Sequence, residues 1–391
     1  MPTNQNIYTF QFGLLCLSSF LFFSSFNMII PELPAYLDQM GGGEYKGLII
    51  ALFTLTAGLS RPFSGKLADT IGRIPVMIFG AVICFICGFL YPIATSVFWF
   101  LALRFFHGLS TGFKPTGTAT YVADVIPAHR RGEALGVLGL CGSLGMAGGP
   151  AIGSTLANMY SLEVTFYASS ASAIMSVLIL AGMRETLVDR EPFRFRHLQL
   201  DWSEVLEPRV WAPCVVMLLT TYSFGVALTL LPDQSDALGI DNRGLVFMYM
   251  TIASVAVRFF AGKASDRHGR VIVLKWAAFI LVLGCLFLGF APSGFWLLTA
   301  GVFFGLAVGM NTPTIYAWTI DLSHPERRGR AIATMYISLE IGIGLGALTS
   351  GWLYDNQLER LPYAFIVASV LSLFALVFLI VARPRQLVTS T

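Results

Sequence analysis

The stretch RPFSGKLADTIGR, residues 61–73, lies between two long apolar runs and returns as RFFAGKASDRHGR, residues 258–270. Six positions match at an offset of 197 residues: Arg, Gly, Lys, Asp, Gly and Arg. The same offset matches further glycines, acids and basic turns: Gly108 with Gly305, Gly112 with Gly309, Asp124 with Asp321, and residues 130–132 with residues 327–329. Convergence of short basic turns could explain one such loop, but not three. The sequence therefore predicts two copies of one structural unit.

Composition places both copies in a lipid bilayer. The 391 residues are 55% hydrophobic and only 12% charged, whereas soluble domains average about 25% charged residues. This balance excludes a soluble enzyme, a nucleic-acid-binding protein and a disordered chain. Twelve runs are apolar and long enough to span the bilayer, and they lie near residues 10–31, 47–64, 74–94, 97–122, 133–157, 162–183, 209–231, 243–261, 271–290, 293–319, 329–353 and 361–382.

The loops between the spans indicate an orientation and a division of the chain. With both termini in the cytoplasm, most Lys and Arg fall on the cytoplasmic side, and only Lys46, Arg243 and Arg360 fall outside, as the positive-inside rule requires. The charged segment between spans six and seven predicts a bundle over 1–183, a cytoplasmic linker over 184–208 and a second bundle over 209–391. Parallel six-helix repeats of this kind bind substrate at their interface near the middle of the membrane.

The loop from Gly65 to Arg73 resembles the signature loop of the major facilitator superfamily, and its weaker copy stands where that family has one. The resemblance implies an all-α fold of twelve transmembrane helices in two pseudo-symmetric six-helix bundles. It also implies a latch that shuts the cytoplasmic side, although solvated charges that only anchor the topology are the alternative. The predicted gating residues are Gly65, Asp69, Gly72, Arg73, Asp124, Arg130, Arg131, Gly262, Asp266, Arg270, Asp321 and Arg327. In this prediction Gly65 and Gly72 permit a tight turn and close helix approach, Arg73 pairs with Asp69, and Asp124 and Asp321 face Arg130 or Arg327.

The fifth span carries a second pattern of small residues. Its members are Gly136, Gly145, Gly149, Pro150 and Gly153, and their spacing resembles the antiporter motif of exporters in the same superfamily. Ser154 stands where the family pattern has another glycine. Such glycines allow a neighbouring helix to approach, and generic packing of small residues is the alternative explanation.

A cationic face on the fourth span is the most unusual feature within the membrane. Arg104, His107, Thr111 and Lys114 follow one another at steps of three, four and three, which places them within about 80° on a helix. Because charge in lipid costs several kcal/mol, we expect these side chains to face a central, water-accessible cavity. Lys114 either reaches the membrane surface or pairs with an anionic group, His107 takes part in proton coupling, and Arg104 orders a carboxylate or carbonyl.

Few acids are available to carry protons within the membrane. Glu340 in span eleven is the strongest candidate, with a buried ion pair as the structural alternative, and Glu32 at the outer end of span one is either a cavity-mouth group or a solvated end. Aromatic and polar residues predicted to line the cavity are Phe26, Asn27, Tyr222, Tyr249, Tyr316 and Trp318.

These residues predict a transporter without catalytic residues, metal site or cofactor. Because the sequence has no nucleotide-binding motif, a proton gradient is the expected energy source. The family resemblance predicts a bacterial-type inner-membrane exporter, acting as a monomer, that moves a small organic drug or metabolite out by proton antiport with alternating access. A proton-coupled symporter that takes up a sugar, organic acid or metallophore is the alternative. A membrane receptor or enzyme is the competing class, but no catalytic cluster at one depth supports it.

Overall fold

The computed structural model describes residues 9–126, 131–199, 206–324 and 328–381, without the side chains of residues 131–133, 259 and 328. The described residues form one short and twelve long α-helices, joined by turns and short 3-10 segments. Their bounds are α1 Phe10–Ile29, α2 Leu33–Gln39, α3 Lys46–Thr70, α4 Arg73–Leu90, α5 Val97–Val125, α6 Arg131–Met159, α7 Leu162–Ala181, α8 Trp211–Ala237, α9 Leu245–His268, α10 Arg270–Gly289, α11 Gly294–Leu322, α12 Arg328–Tyr354 and α13 Leu361–Val381.

The twelve long helices coincide with the twelve predicted spans, and most extend beyond the predicted ends. Ten are long and apolar enough to cross a bilayer, and the bent helix α9 makes an eleventh, by length and composition. Helix α5 is as long as the longest of these helices but is not counted with them, because Arg104, His107 and Lys114 lower its hydropathy. The prediction of an all-α membrane protein is confirmed.

Hydroxyl side chains at the sequence breaks start several of these helices. Thr9, Ser96 and Ser161 each accept a hydrogen bond from the backbone N–H three residues later, at 3.2, 3.4 and 3.3 Å. Such caps satisfy one of the N–H groups that the first turn of a helix leaves without a partner. These positions precede α1, α5 and α7, so the sequence itself sets where each span begins.

The two halves repeat the same helix contacts. In the first half α1 packs on α6 and α7, α3 on α5, and α4 on α5 and α7. In the second half the equivalent helices repeat these contacts: α8 packs on α12 and α13, α9 on α11, and α10 on α11 and α13. Two further seams, α3 with α12 and α6 with α9, join the halves and are equivalent to each other under the repeat.

The helix bundle has two opposite ends, which we call the linker end and the distal end. The linker end contains the turns at Gly72 and Gly269 and residues 184–199, whereas the distal end contains residues 30–45 and 238–244. Residues 195–198 form a short 3-10 helix within the segment predicted as the linker. Glu191 of the linker donates its backbone N–H to the carbonyl of Thr70 at 3.0 Å, which fixes this segment below α3.

Candidate functional site: the loops and the interface between the halves

The two signature loops fold alike at the linker end. Gly72 and Gly269 adopt positive φ values of 122° and 94°, a conformation that glycine adopts without strain. Arg73 follows the first turn and pairs with Asp69 at 3.2 Å and with Asp124 at 2.9 Å. This arrangement joins three helices of one half through a single guanidinium group.

The second half builds the same triad from its own residues. Arg270 pairs with Asp266, and its Nε lies 3.0 Å from Asp321. The predicted pairing of Arg73 with Asp69 is therefore observed, and each triad lies within one half. Within the described residues, neither triad forms an ion pair with a residue of the other half.

Several predicted details of these loops are wrong. Gly65 and Gly262 lie inside α3 and α9 rather than in the turns, and an added Cβ at either would meet nothing within 4 Å. Asp124 and Asp321 are engaged by Arg73 and Arg270, which the sequence did not predict. Their predicted partners Arg130 and Arg327 lie outside the described residues, so that pairing stays a prediction, and Arg131 begins α6 with a side chain that is not described.

Glu185, which the sequence analysis missed, caps α4 from the linker. Its carboxylate accepts the backbone N–H groups of Arg73 at 3.1 Å and Ile74 at 2.9 Å. Burial raises the pKa of Glu185, but the N–H donors of Leu187, Ile74, Arg73 and Thr186 outweigh it and hold the pKa below the ordinary value. An anionic side chain at a helix N-terminus also interacts favourably with the helix dipole.

The small residues of α6 bring it against α1. A Cβ added to Gly145, Gly149 or Gly153 would lie 2.5, 2.8 or 1.9 Å from a backbone carbonyl oxygen of α1. The predicted close approach therefore holds at these three positions. It is wrong for Gly136, where an added Cβ would meet nothing within 4 Å, and Pro150 instead lines the space between the halves.

Ser154, the departure from the family pattern, joins the two halves at the distal end. Its hydroxyl donates to Glu32 Oε1 at 2.6 Å and accepts the backbone N–H of Gly244 at 3.0 Å. Arg243 then pairs with Glu32 Oε2 at 2.7 Å. We call Glu32, Ser154 and Arg243 the distal clasp. Glu32 is thus neither a solvated end nor a free cavity-mouth group, because its side chain is only 5% exposed.

A second cross-half ion pair lies beside the distal clasp. Lys46 Nζ lies 2.6 Å from Asp233 of the other half and 2.6 Å from Asp38 of its own half. Its ammonium group also lies 5.7 Å from the ring centroid of Tyr354. Together the two pairs close the distal end with charges drawn from both halves.

The cationic face of α5 is buried inside the first half. Arg104 donates to the carbonyl of Ile49 at 2.9 Å and to Tyr91 Oη at 3.3 Å. His107 lies between Tyr91 Oη at 3.1 Å and Cys84 Sγ at 3.3 Å. Both side chains are at most 1% exposed. The prediction that they face a water-accessible central cavity is wrong, because helices of the first half surround them.

Lys114 shares that buried environment. Its ammonium group lies 3.3 Å from Ser19 Oγ and 4.9 Å from the ring centroid of Phe22, and the residue is 1% exposed. It therefore does not reach the surface, and among the described residues it has no carboxylate within 4 Å. Thr111 is also buried, and its hydroxyl donates to the carbonyl of Gly108 in its own helix.

Glu340 forms an ion pair across the seam between α3 and α12. Arg61 Nη2 donates to Glu340 Oε1 at 2.7 Å, and both side chains are nearly buried. The guanidinium group of Arg61 also stacks on Tyr336 at 4.4 Å. Glu340 was predicted from the sequence as a candidate acid, but its partner Arg61 was not.

A cavity of about 70 Å³ lies between the halves. The first half contributes Asn27, Ser143 and Pro150, among others, and the second contributes Phe247, Met250 and Arg258. Arg258 donates to Ser143 Oγ at 3.3 Å across the seam between α6 and α9. Most of the remaining lining is apolar.

Of the predicted lining residues, Asn27 lines this cavity and the others do not. Phe26 stacks on Phe53 in the first half, while Tyr222, Tyr316 and Trp318 lie in the core of the second half. Tyr249 is 41% exposed. Arg258 was missed as a lining residue, and its match to Arg61 at the repeat offset could not have revealed this role, because Arg61 lies in the other seam and does not line the cavity.

Comparison with known proteins agrees with this architecture. The family model described as Major Facilitator Superfamily matches residues 15–241 and 214–391. The quinolone resistance protein NorA of Staphylococcus aureus is 24% identical and the alignment covers 94% of each chain. The multidrug resistance protein MdtG of Salmonella typhimurium is 28% identical with 85% of each chain covered. The crystal structure of a D-xylose-proton symporter has a TM-score of 0.76 at 17% identity, covering 95% of this chain and 97% of that one.

Proposed function

Because the chain belongs to the Major Facilitator Superfamily, whose members are membrane transporters rather than enzymes, we propose that it exports a small organic solute in exchange for protons. The central cavity between the two halves is the observation that supports this proposal most directly. Its mostly apolar lining fits drug-like or other amphipathic solutes. The names of NorA and MdtG, which are resistance proteins, point the same way.

Alternating access follows from the way the halves are joined. In the orientation that places the basic loops and both termini in the cytoplasm, the distal clasp faces outward and closes the cavity on that side. Separation of the distal clasp, together with closure at the linker end, opens the same cavity outward. The chain acts as a monomer in this proposal, since each component of the site comes from one copy.

Glu340 is the proposed proton carrier. Burial and neighbouring charges determine whether a carboxyl group can gain and lose a proton near neutral pH. Glu340 is nearly buried and faces Arg61 across the seam, and Tyr336 stacks on that arginine. Protonation of Glu340 removes the ion pair between α3 and α12, which loosens one of the two seams. No cofactor takes part, and the proton gradient supplies the energy.

Transport into proteoliposomes under an imposed pH gradient tests the proposal. We expect solutes from a panel of amphipathic drugs and metabolites to move against the direction of proton flow. Glu340→Gln should abolish movement driven by the pH gradient while solute exchange without a gradient continues. Glu359→Gln, which alters an exposed acid, is the matched control and should transport normally.

Two results would overturn parts of this proposal. Solute that enters together with protons would establish symport and uptake in place of export. Unchanged gradient-driven transport in Glu340→Gln would remove that residue from coupling while leaving the transporter assignment intact.

A further inference from the structure

The two seams between the halves carry equivalent arginines with different partners. At the repeat offset of 197 residues, Arg61 matches Arg258 and Ser143 matches Glu340. Arg61 reaches Glu340 at 2.7 Å, and Arg258 reaches Ser143 at 3.3 Å. The same geometry is therefore built twice, once with a carboxylate acceptor and once with a hydroxyl.

The second seam consequently has an excess positive charge. Within the described residues, no carboxylate lies within 4 Å of Arg258, whereas Arg61 has its charge balanced by Glu340. Arg258 is also exposed, and both it and Ser143 line the cavity between the halves. This cation is thus accessible from the space where a solute binds.

The surroundings of Arg258 are suited to an anion with an apolar body. Phe224, Leu228, Phe247 and Met250 line the same cavity. A guanidinium group binds a carboxylate through paired N–H donors, and the cavity contributes apolar surface around that contact. The lining residues include no Asp or Glu that could balance the charge of Arg258.

We propose that Arg258 and Ser143 bind a carboxylate of the transported solute, which takes the place that a glutamate side chain occupies in the equivalent seam. This inference rests on the proposed transport function and deepens it. The substrates are then organic acids or zwitterions with an apolar body, rather than neutral sugars or simple cations.

Matched acid and amide probes test this assignment. We would measure equilibrium binding of benzoate, 1-naphthoate and 9-anthroate, and of the corresponding amides, to the purified full-length protein in detergent. A hydrogen bond to a charged group contributes about 1.5–3 kcal/mol, so at least one acid should bind about tenfold or more tightly than its amide. The acid and amide of each pair have nearly the same shape, which isolates the charge.

Three variants separate charge from shape. Arg258→Gln should remove the preference for the acid. Ser143→Glu should also remove it, because the new carboxylate recreates the ion pair of the other seam. Ser143→Gln, which has nearly the same size as Ser143→Glu but no charge, should weaken the preference less than Ser143→Glu does, because it removes the hydroxyl contact without neutralising Arg258.

The outcomes decide this inference separately from the transport proposal. No binding of any acid, equal binding of acid and amide by the wild-type protein, or an acid preference that survives in Arg258→Gln would each overturn it. Proton-driven movement of neutral or cationic solutes in proteoliposomes would then still support transport. Absence of any solute movement would instead refute the transport proposal.

Discussion

The distal clasp makes a quantitative prediction about how the outer side stays closed. Glu32→Gln keeps the size of the side chain and an oxygen that accepts from Ser154, but it removes the negative charge that faces Arg243. Burial lowers the pKa of Arg243, yet Asp236 and Glu32 outweigh it and raise the pKa above its ordinary value. Arg243 therefore stays charged, and the substitution leaves that charge without its partner from the other half.

The exposure of the two side chains sets the magnitude. Exposed ion pairs contribute about 0.2–1 kcal/mol, whereas removal of one partner from a buried pair costs about 3–5 kcal/mol. Glu32 is 5% exposed and Arg243 is 23% exposed at 2.7 Å, so an intermediate cost of about 2 kcal/mol applies. At about 1.4 kcal/mol per tenfold change, the population with an open distal end rises about 30-fold.

Hydrogen exchange measures this population without added labels. The backbone N–H of Gly244 is bound by Ser154 of the other half and by Asn242 Oδ1 of its own loop. Asn242 is in turn held by Ala151 and Thr155 of the other half, so opening of the distal end should speed exchange throughout this loop. We expect exchange in the segment 238–246 to accelerate about 30-fold in Glu32→Gln, as converted above. Asp236→Asn removes the exposed partner of Arg243 within its own half and should change the rate by less than about threefold, given the small contribution of exposed pairs.

Two outcomes would refute this reasoning. Unchanged protection of the segment 238–246 in Glu32→Gln would show that the ion pair does not hold the distal end closed. An equal acceleration in Asp236→Asn would show that local stability of the loop, rather than the contact between halves, controls exchange.

Four further substitutions test packing and charge elsewhere. Gly153→Ala should destabilise the protein by about 1–3 kcal/mol, because its Cβ would meet a backbone carbonyl at 1.9 Å, while Gly136→Ala, in open space, should be neutral or stabilising in thermal unfolding. Because the folded-state pKa of Glu185 lies below its ordinary 4.5, its stabilising effect is complete above that value and is lost as pH falls through the folded pKa, so acid unfolding of the wild type should be steeper than that of Glu185→Gln. Lys114→Asn should raise the melting temperature, since it removes a buried cation whose described polar partner is the neutral Ser19, and a lowered melting temperature would contradict this.

The positions of the membrane spans and of the turns between them could be predicted, because they depend on short stretches of sequence. Apolar runs of about 20 residues place the spans, and the matched glycines at 72 and 269 specify turns that need positive φ. The triad of Arg73 was only half predicted: Asp69 lies four residues away on the chain, whereas Asp124 comes from another helix. Contacts of that second kind depend on how helices pack, which periodicity within one span does not reveal.

The cationic face of α5 shows where sequence reasoning went wrong. The spacing of Arg104, His107 and Lys114 correctly predicts one shared helix face, but a water-filled cavity is not needed to accommodate their charge. The structure instead surrounds them with carbonyl, hydroxyl, thiol and aromatic groups of the first half, such as Ile49 O and Tyr91 Oη. Buried polar groups need partners rather than water, and the partners of this face lie far away in sequence.

Comparison of matched positions in the two halves shows which features of a residue the fold requires. Lys114 matches Asn311 at the repeat offset, and the two make equivalent contacts: Lys114 reaches Ser19 of α1, and Asn311 donates to Thr220 of α8 at 2.6 Å. The second half therefore retains the contact between helices but not the charge. The fold needs a polar group at this position, and a neutral one suffices, so the positive charge of the first half is not explained by packing.

The same reasoning applies to the seams. An arginine occurs in both, because each joins one half to the other, whereas the acid occurs only at Glu340. The two seams have the same geometry with different acceptors, a carboxylate in one and a hydroxyl in the other. Helix packing therefore does not by itself require the carboxylate of Glu340. The asymmetry instead leaves one seam with a titratable internal partner and the other with a cation that faces the cavity. In the proposed antiport, proton binding at the first seam and solute binding at the second act on the same two halves, which gives the exchange of one for the other a structural basis.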